Sequence, residues 1–89
     1  MRMHVVVRGR VQAVGFRWFV REEARRLGVA GWVKNREDGG VEILAEGDPV
    51  AIAKLRECLN QGPPRSSVDR IEDLDAGASN APTPFAILH

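Results

Sequence analysis

Arg17 stands in the stretch RGRVQAVGFRWFV, residues 8–20, where a strand-like pattern gives way to a helical one. A helix N-terminus already carries partial positive charge on N–H groups that lack intrahelical acceptors, so an arginine in the first turn is unfavourable by roughly a few tenths of a kcal/mol. A negative partner beside it would offset that cost. The run that precedes it, Val11, Gln12, Ala13, Val14, Gly15 and Phe16, contains a glycine and leads into the helix, so it can aim several backbone N–H groups at one point. The Arg17 guanidinium adds a planar fork that matches two phosphate or carboxylate oxygens at once. Residues 11–17 are therefore a candidate phosphate cradle. The spacing fits neither the nucleotide pattern GxxxxGK[ST] nor the dinucleotide pattern GxGxxG.

The elements that position this loop follow from the apolar periods. Residues 3–11 alternate in the manner of a half-buried strand, and from Phe16 the period turns helical, with Phe16, Phe19, Val20, Ala24 and Leu27 on one face. The spacing predicts a helix over 16–27, with Glu22 and Arg26 as an i,i+4 pair and Gly28 after its end. AGWVKN (30–35) and VEILAE (41–46) read as strands joined by REDGG, whose Asp-Gly suits a tight hairpin. Asp48 as N-cap and Pro49 in the first turn open a second helix, with Ile52, Leu55 and Leu59 inward and Gly62 and Pro63 ending it. SVDRIEDLDA (67–76) alternates imperfectly, as a bulged or edge strand does; GASNAPTP (77–84) is a loop by composition, and FAIL closes as a short strand.

The order is βαββαβ plus a short final strand, an α+β, ferredoxin-like split βαβ sandwich with two helices on one face of an antiparallel sheet. In that arrangement the first and second strands run parallel with the third between them, so both end at the same edge of the sheet. The loop after the first strand and Asn35 at the end of the second can meet there. From the residues alone, Arg17 reads equally well as a solvated charge at a helix start, and Asn35 more readily as a hairpin residue. His4 and His89 read as ordinary surface or edge residues, and Cys58 as a small core filler.

The totals limit the alternatives. Eighty-nine residues, 44% of them hydrophobic and 28% charged, suit a single globular domain over 1–89. A net charge of +1 is too balanced for nucleic-acid binding by bulk charge, so an anion site must be local. One cysteine, no Cys/His cluster, no signal-peptide core and no membrane-length apolar run point to a cytoplasmic protein without a metal site.

GRVQAVGFRWFV followed by LGVAGWVKNREDGGVEILAEG resembles the acylphosphatase family, whose pattern is close to G-x-V-Q-G-V-x-F-R, then G-x-V-x-N and a D-G-x-V stretch ending in glycine. The similarity spans residues 5–47 almost without a gap. It implies hydrolysis of an acyl phosphate to a carboxylate and inorganic phosphate, with Arg17 as the substrate-binding arginine and Asn35 as the residue that holds the attacking water. It also implies that residues 11–17 bind the substrate phosphate, with inorganic phosphate or sulfate able to occupy the same place. No cofactor or metal is expected, nor a nucleic-acid or membrane partner, and the chain is expected to be monomeric. The family has glycine where this chain has Ala13. If the loop needs a left-handed backbone there, alanine costs on the order of 1 kcal/mol; if it needs only close approach, the methyl group crowds the ligand. Two other readings of the fold remain at this point, an RNA-binding module and an anion-binding module without turnover, the latter like the acylphosphatase-like segment of larger hydrogenase maturation proteins.

Overall fold

A computed structural model of the chain describes residues 1–75 and 80–89. The elements are β1 (Arg2–Arg10), α1 (Phe16–Arg26), β2 (Ala30–Asn35), β3 (Val41–Glu46), α2 (Pro49–Gln61), β4 (Ser67–Asp73) and β5 (Ala86–Ile87). Each agrees with the periodicity to within a few residues. The loop expected over 77–84 lies partly, at 77–79, outside the described residues, as does residue 76 at the end of the expected fourth strand.

α1 forms because Phe16, Val20 and Ala24, each one helical turn from the next, fall on one face and are buried. Its exposed charges pair differently from the expected Glu22–Arg26. Arg26 instead meets Glu23 Oε2 at 2.6 Å, while Glu22 meets Arg21 at 3.2 Å. α2 starts where expected, with Asp48 Oδ1 accepting from Val50 N–H at 2.8 Å and Pro49 in the first turn. Ile52, Leu55 and Leu59 are its buried side chains. Both helices lie on one face of the sheet, where they enclose Val5, Val7, Val33 and Ile43 in one apolar cluster.

The five-stranded sheet has the order β4-β1-β3-β2-β5. β3 is antiparallel to both β1 and β2, and β4 is antiparallel to β1 with a register shift at Arg8/Gly9. Gly9 is required at that bulge, because a Cβ there would collide with the Ser67 carbonyl oxygen. The final strand corrects the antiparallel expectation. β5 pairs with β2 in parallel, Trp32 opposite Ala86 and Val33 opposite Ile87, which makes the sheet mixed. The reason is directional. β4 runs opposite to β1 and ends at the edge where β1 and β2 begin, so a chain that crosses beyond that edge enters β5 in the direction of β2. Gly31 N–H to Pro82 O (2.9 Å) and Leu88 N–H to Val33 O (2.8 Å) fix it there. Three strands, β1, β2 and β5, therefore deliver their C-terminal ends to one edge.

The face without helices is closed by charge. Val6, Trp32 and Leu44 are buried there. Glu42 lies 2.6 Å from His4 Nε2 and accepts from Arg36 Nη1 at 3.1 Å, Arg8 bridges Asp38 and Glu72, and Lys34 Nζ sits 5.1 Å from the centre of the Trp32 ring.

Candidate active site

The loop between β1 and α1 curls because two of its residues are left-handed. Ala13 has φ 60° and Gly15 has φ 77°. Gly15 is the N-cap of α1 and has no side chain to cap it. A left-handed residue followed by the right-handed start of a helix turns successive N–H groups to one side, and that is the geometry of an anion nest. The earliest backbone bond into α1 runs from Phe19 N–H to Gly15 O at 3.0 Å, and no backbone carbonyl among the described residues accepts from the N–H groups of residues 12–18. α1 has no acidic residue in its first turn beside these donors. Polar hydrogens at a helix start need an acceptor, and an anion is the strongest one.

A cavity of about 190 Å³ opens over this loop, lined by Val11, Ala13, Gly15, Phe16, Arg17, Trp18, Asn35, Ile87 and His89. It brings together the two side chains singled out in the sequence, Arg17 from the first turn of α1 and Asn35 from the last residue of β2. No carboxylate side chain lines it, and Arg17 forms no ion pair among the described residues. A second cavity of about 450 Å³ shares Asn35 and His89 and is lined besides by Lys34, Arg36, Glu37, Asp38 and Glu42. Its Asp38 and Glu42 are already paired with Arg8, Arg36 and His4. Asn35 thus lines both hollows.

Two loop residues turn their side chains elsewhere. Val14 packs on the apolar cluster. The Gln12 carboxamide reaches the β2–β3 turn, donating to Arg36 O at 2.8 Å and Gly40 O at 2.9 Å. Phe16 is buried and anchors the start of the helix. Trp18, Ile87 and His89 line the cavity without having been singled out as site residues. Trp18 is 58% exposed because it lies off the apolar stripe of α1, and that position is readable from the helical period. Ile87 and His89 arrive with β5, whose parallel direction no local pattern encodes. Among the described residues no group of three or more His, Cys, Asp or Glu side chains is placed to hold a metal ion.

Comparisons with known proteins agree on one family. The acylphosphatase family model matches residues 3–87. A curated acylphosphatase of Thermococcus kodakarensis is 51% identical over 72 residues, covering 81% of this chain and 79% of that one. The crystal structure of acylphosphatase from Bacillus subtilis superposes with a TM-score of 0.90 at 43% identity, covering 99% of this chain and 98% of the other. T. kodakarensis HypF contains the same fold at a TM-score of 0.85 and 37% identity, but the match covers only 12% of that much longer chain. The chain belongs to the acylphosphatase family, and its reaction is the hydrolysis of a small-molecule acyl phosphate.

Proposed function

We propose that hydrolysis proceeds by direct attack of a water held by Asn35 on a phosphorus atom bound by the 11–17 loop and Arg17. The water oxygen bonds to phosphorus, the bridging P–O bond breaks, and the bridging oxygen leaves on the carboxylate. That leaving group has a conjugate acid of pKa about 4, like a glutamate side chain, so it needs no strong general acid. Phosphoryl transfer passes through a loose transition state with charge spread over three equatorial oxygens, and positioning with electrostatic stabilisation supplies most of the catalysis. Main-chain N–H groups and a permanently charged guanidinium suit that distribution. A neutral amide such as Asn35 is too weak a base to take the water proton, so a phosphate oxygen accepts it as the P–O bond forms.

The observation that carries this reading is the shared cavity: Arg17, the start of α1 and Asn35 face one space that no carboxylate side chain lines. The test is steady-state hydrolysis of benzoyl phosphate with inorganic phosphate as competitor. Arg17→Ala should weaken phosphate inhibition and lower kcat/KM by about 10²–10³-fold, the scale of losing one preorganised oxyanion donor. Asn35→Ala should keep phosphate inhibition and lose kcat. In H₂¹⁸O the label should enter phosphate and not benzoate. Parent-like kinetics in either variant would remove that residue from the mechanism.

The same reading extends to partners and place. Inorganic phosphate or sulfate competes for the cradle, and the protein works as a cytoplasmic monomer without nucleic acid or membrane. Two features bear on nucleic acid and membrane. The open sheet face offers no stacking platform, since Trp32 is 7% exposed beneath His4 and Lys34. Among the described residues no helix is long and apolar enough to cross a membrane.

A further inference from the structure

Gln12 lies in the cradle by sequence and outside it by side chain. Its carboxamide nitrogen donates to both Arg36 O (2.8 Å) and Gly40 O (2.9 Å). Those carbonyls belong to the pair that closes the β2–β3 turn, where Arg36 N–H donates to Gly40 O at 2.8 Å. Asn35 and Val41, the next residues out, face each other in the ladder. One NH₂ group therefore ties the loop that carries the phosphate donors to the turn that holds Asn35. An amide NH₂ has two protons for this fork; an ionised carboxylate of the same length has none.

Resting on the mechanism proposed above, we infer that Gln12 is a positioning residue: its carboxamide fixes the span between the phosphate cradle and Asn35, and so the line along which water attacks, without touching substrate. The two halves of the site come from separate elements, β1–α1 and β2–β3; the Arg8–Asp38 ion pair joins β1 to the β2–β3 turn, and this fork joins the 11–17 loop itself to that turn. A displacement of about 1 Å between reacting groups costs on the order of 10²-fold in rate. Phosphate grip depends on donors within residues 11–17, so loss of the strut should fall on kcat and spare phosphate affinity.

The experiment measures kcat and KM for benzoyl phosphate, and Ki for inorganic phosphate, in Gln12→Ala and Gln12→Glu, each alone and combined with Asn35→Ala. Each single variant should lower kcat by about 10- to 100-fold with Ki changed by less than about 3-fold. In the Asn35→Ala background, Gln12→Ala should cost less than about 3-fold more, because residues that act as a unit are not additive. Gln12→Glu adds a readout that a packing role would not move. Below about pH 5 its carboxyl gains a proton and can donate to one of the two carbonyls, so its deficit relative to the parent at the same pH should shrink, while that of Gln12→Ala stays level. Equal losses in both Asn35 backgrounds, a Ki that rises as kcat falls, or a pH-independent Gln12→Glu deficit each overturn the inference. The two layers separate cleanly: parent-like kcat in Asn35→Ala sinks the mechanism and the strut together, whereas a normal Asn35 effect with additive Gln12 losses sinks the strut alone.

Discussion

Ala13 holds φ at 60°, and replacing it by glycine isolates the cost of that geometry. A non-glycine residue in the left-handed region is disfavoured by about 1–2 kcal/mol, because Cβ crowds the following carbonyl. Glycine relieves the crowding but loses more backbone freedom on folding, which takes back about 0.4–1 kcal/mol. Ala13 is exposed, so its methyl group contributes little packing to lose. Taken near the midpoints of those two ranges, the balance leaves Ala13→Gly more stable by about 0.5–1 kcal/mol. At about 4–8 °C per kcal/mol for a domain of this length, Tm should rise by about 2–8 °C. The assay is thermal unfolding followed by far-UV circular dichroism in a phosphate-free buffer, since a ligand of the folded state would raise Tm by mass action. Repeating it with millimolar phosphate reads the second effect: the methyl group borders the cavity, and its removal should enlarge the phosphate-dependent increment. A Tm that falls by more than about 2 °C, beyond ordinary scatter on the scale of 4–8 °C per kcal/mol, would refute the assignment of strain to position 13.

Leu55 is fully buried between α2 and the sheet, and Leu55→Ala should lower unfolding free energy by about 2–5 kcal/mol in a denaturant titration while kcat at low temperature, wherever the variant is folded, stays at the parent value. Acid should destabilise the protein through its arginine-paired carboxylates. Asp38 is held below the usual carboxylate range first by the Arg8 guanidinium, then by Gly40 N–H and Arg36; Glu72 is lowered by Arg70 and Arg8, and Asp73 by Arg56. A depressed folded-state pKa contributes stability that is complete above the unfolded value and is lost as pH falls through the folded one, so Tm should drop steadily below about pH 4, and Asp38→Asn should shallow that drop, most visibly at low salt. Dialysis against a chelator should leave benzoyl phosphate hydrolysis unchanged, and activity restored only by added divalent metal would contradict the mechanism proposed here.

The helices were legible because each has one wet and one buried face, which imposes a period on the residues; β2 and β3, buried on both faces over most of their length, were legible as short apolar runs on either side of a glycine-containing turn. Arg17 and Asn35 were legible for a different reason: one is a charge where a helix start disfavours it, and the other ends a strand that topology brings to the same edge. Side-chain direction was not. Nothing in the residue type of Gln12 says that it turns to Arg36 and Gly40, because either direction satisfies an amide. The Glu22–Arg26 pairing failed on similar ground, since Glu23 is one residue closer to Arg26 and also within helical reach. The direction of β5 depends on where a crossing segment re-enters the sheet, a non-local fact, and with it went the placement of Ile87 and His89. At Ala13 the sequence raised both a left-handed backbone and close approach, and the backbone angle establishes the first.

In a chain with a net charge of +1, many of the arginines other than Arg17 are matched by carboxylates. Arg8, Arg36 and Arg70 are tied to Asp38, Glu42 and Glu72 on the open sheet face, Arg56 to Asp73, and Arg21 and Arg26 to neighbouring glutamates on α1. These exposed pairs contribute little stability each, about 0–1 kcal/mol, but each removes a competing anion site. Arg17 sits beside main-chain donors, and among the described residues no carboxylate side chain lines its cavity, so its field is directed at whatever occupies that space. On the far side of Asn35 the carboxylates Asp38 and Glu42 are matched by Arg8 and Arg36, so under the mechanism proposed above the unmatched positive charge lies on the near side, toward Arg17.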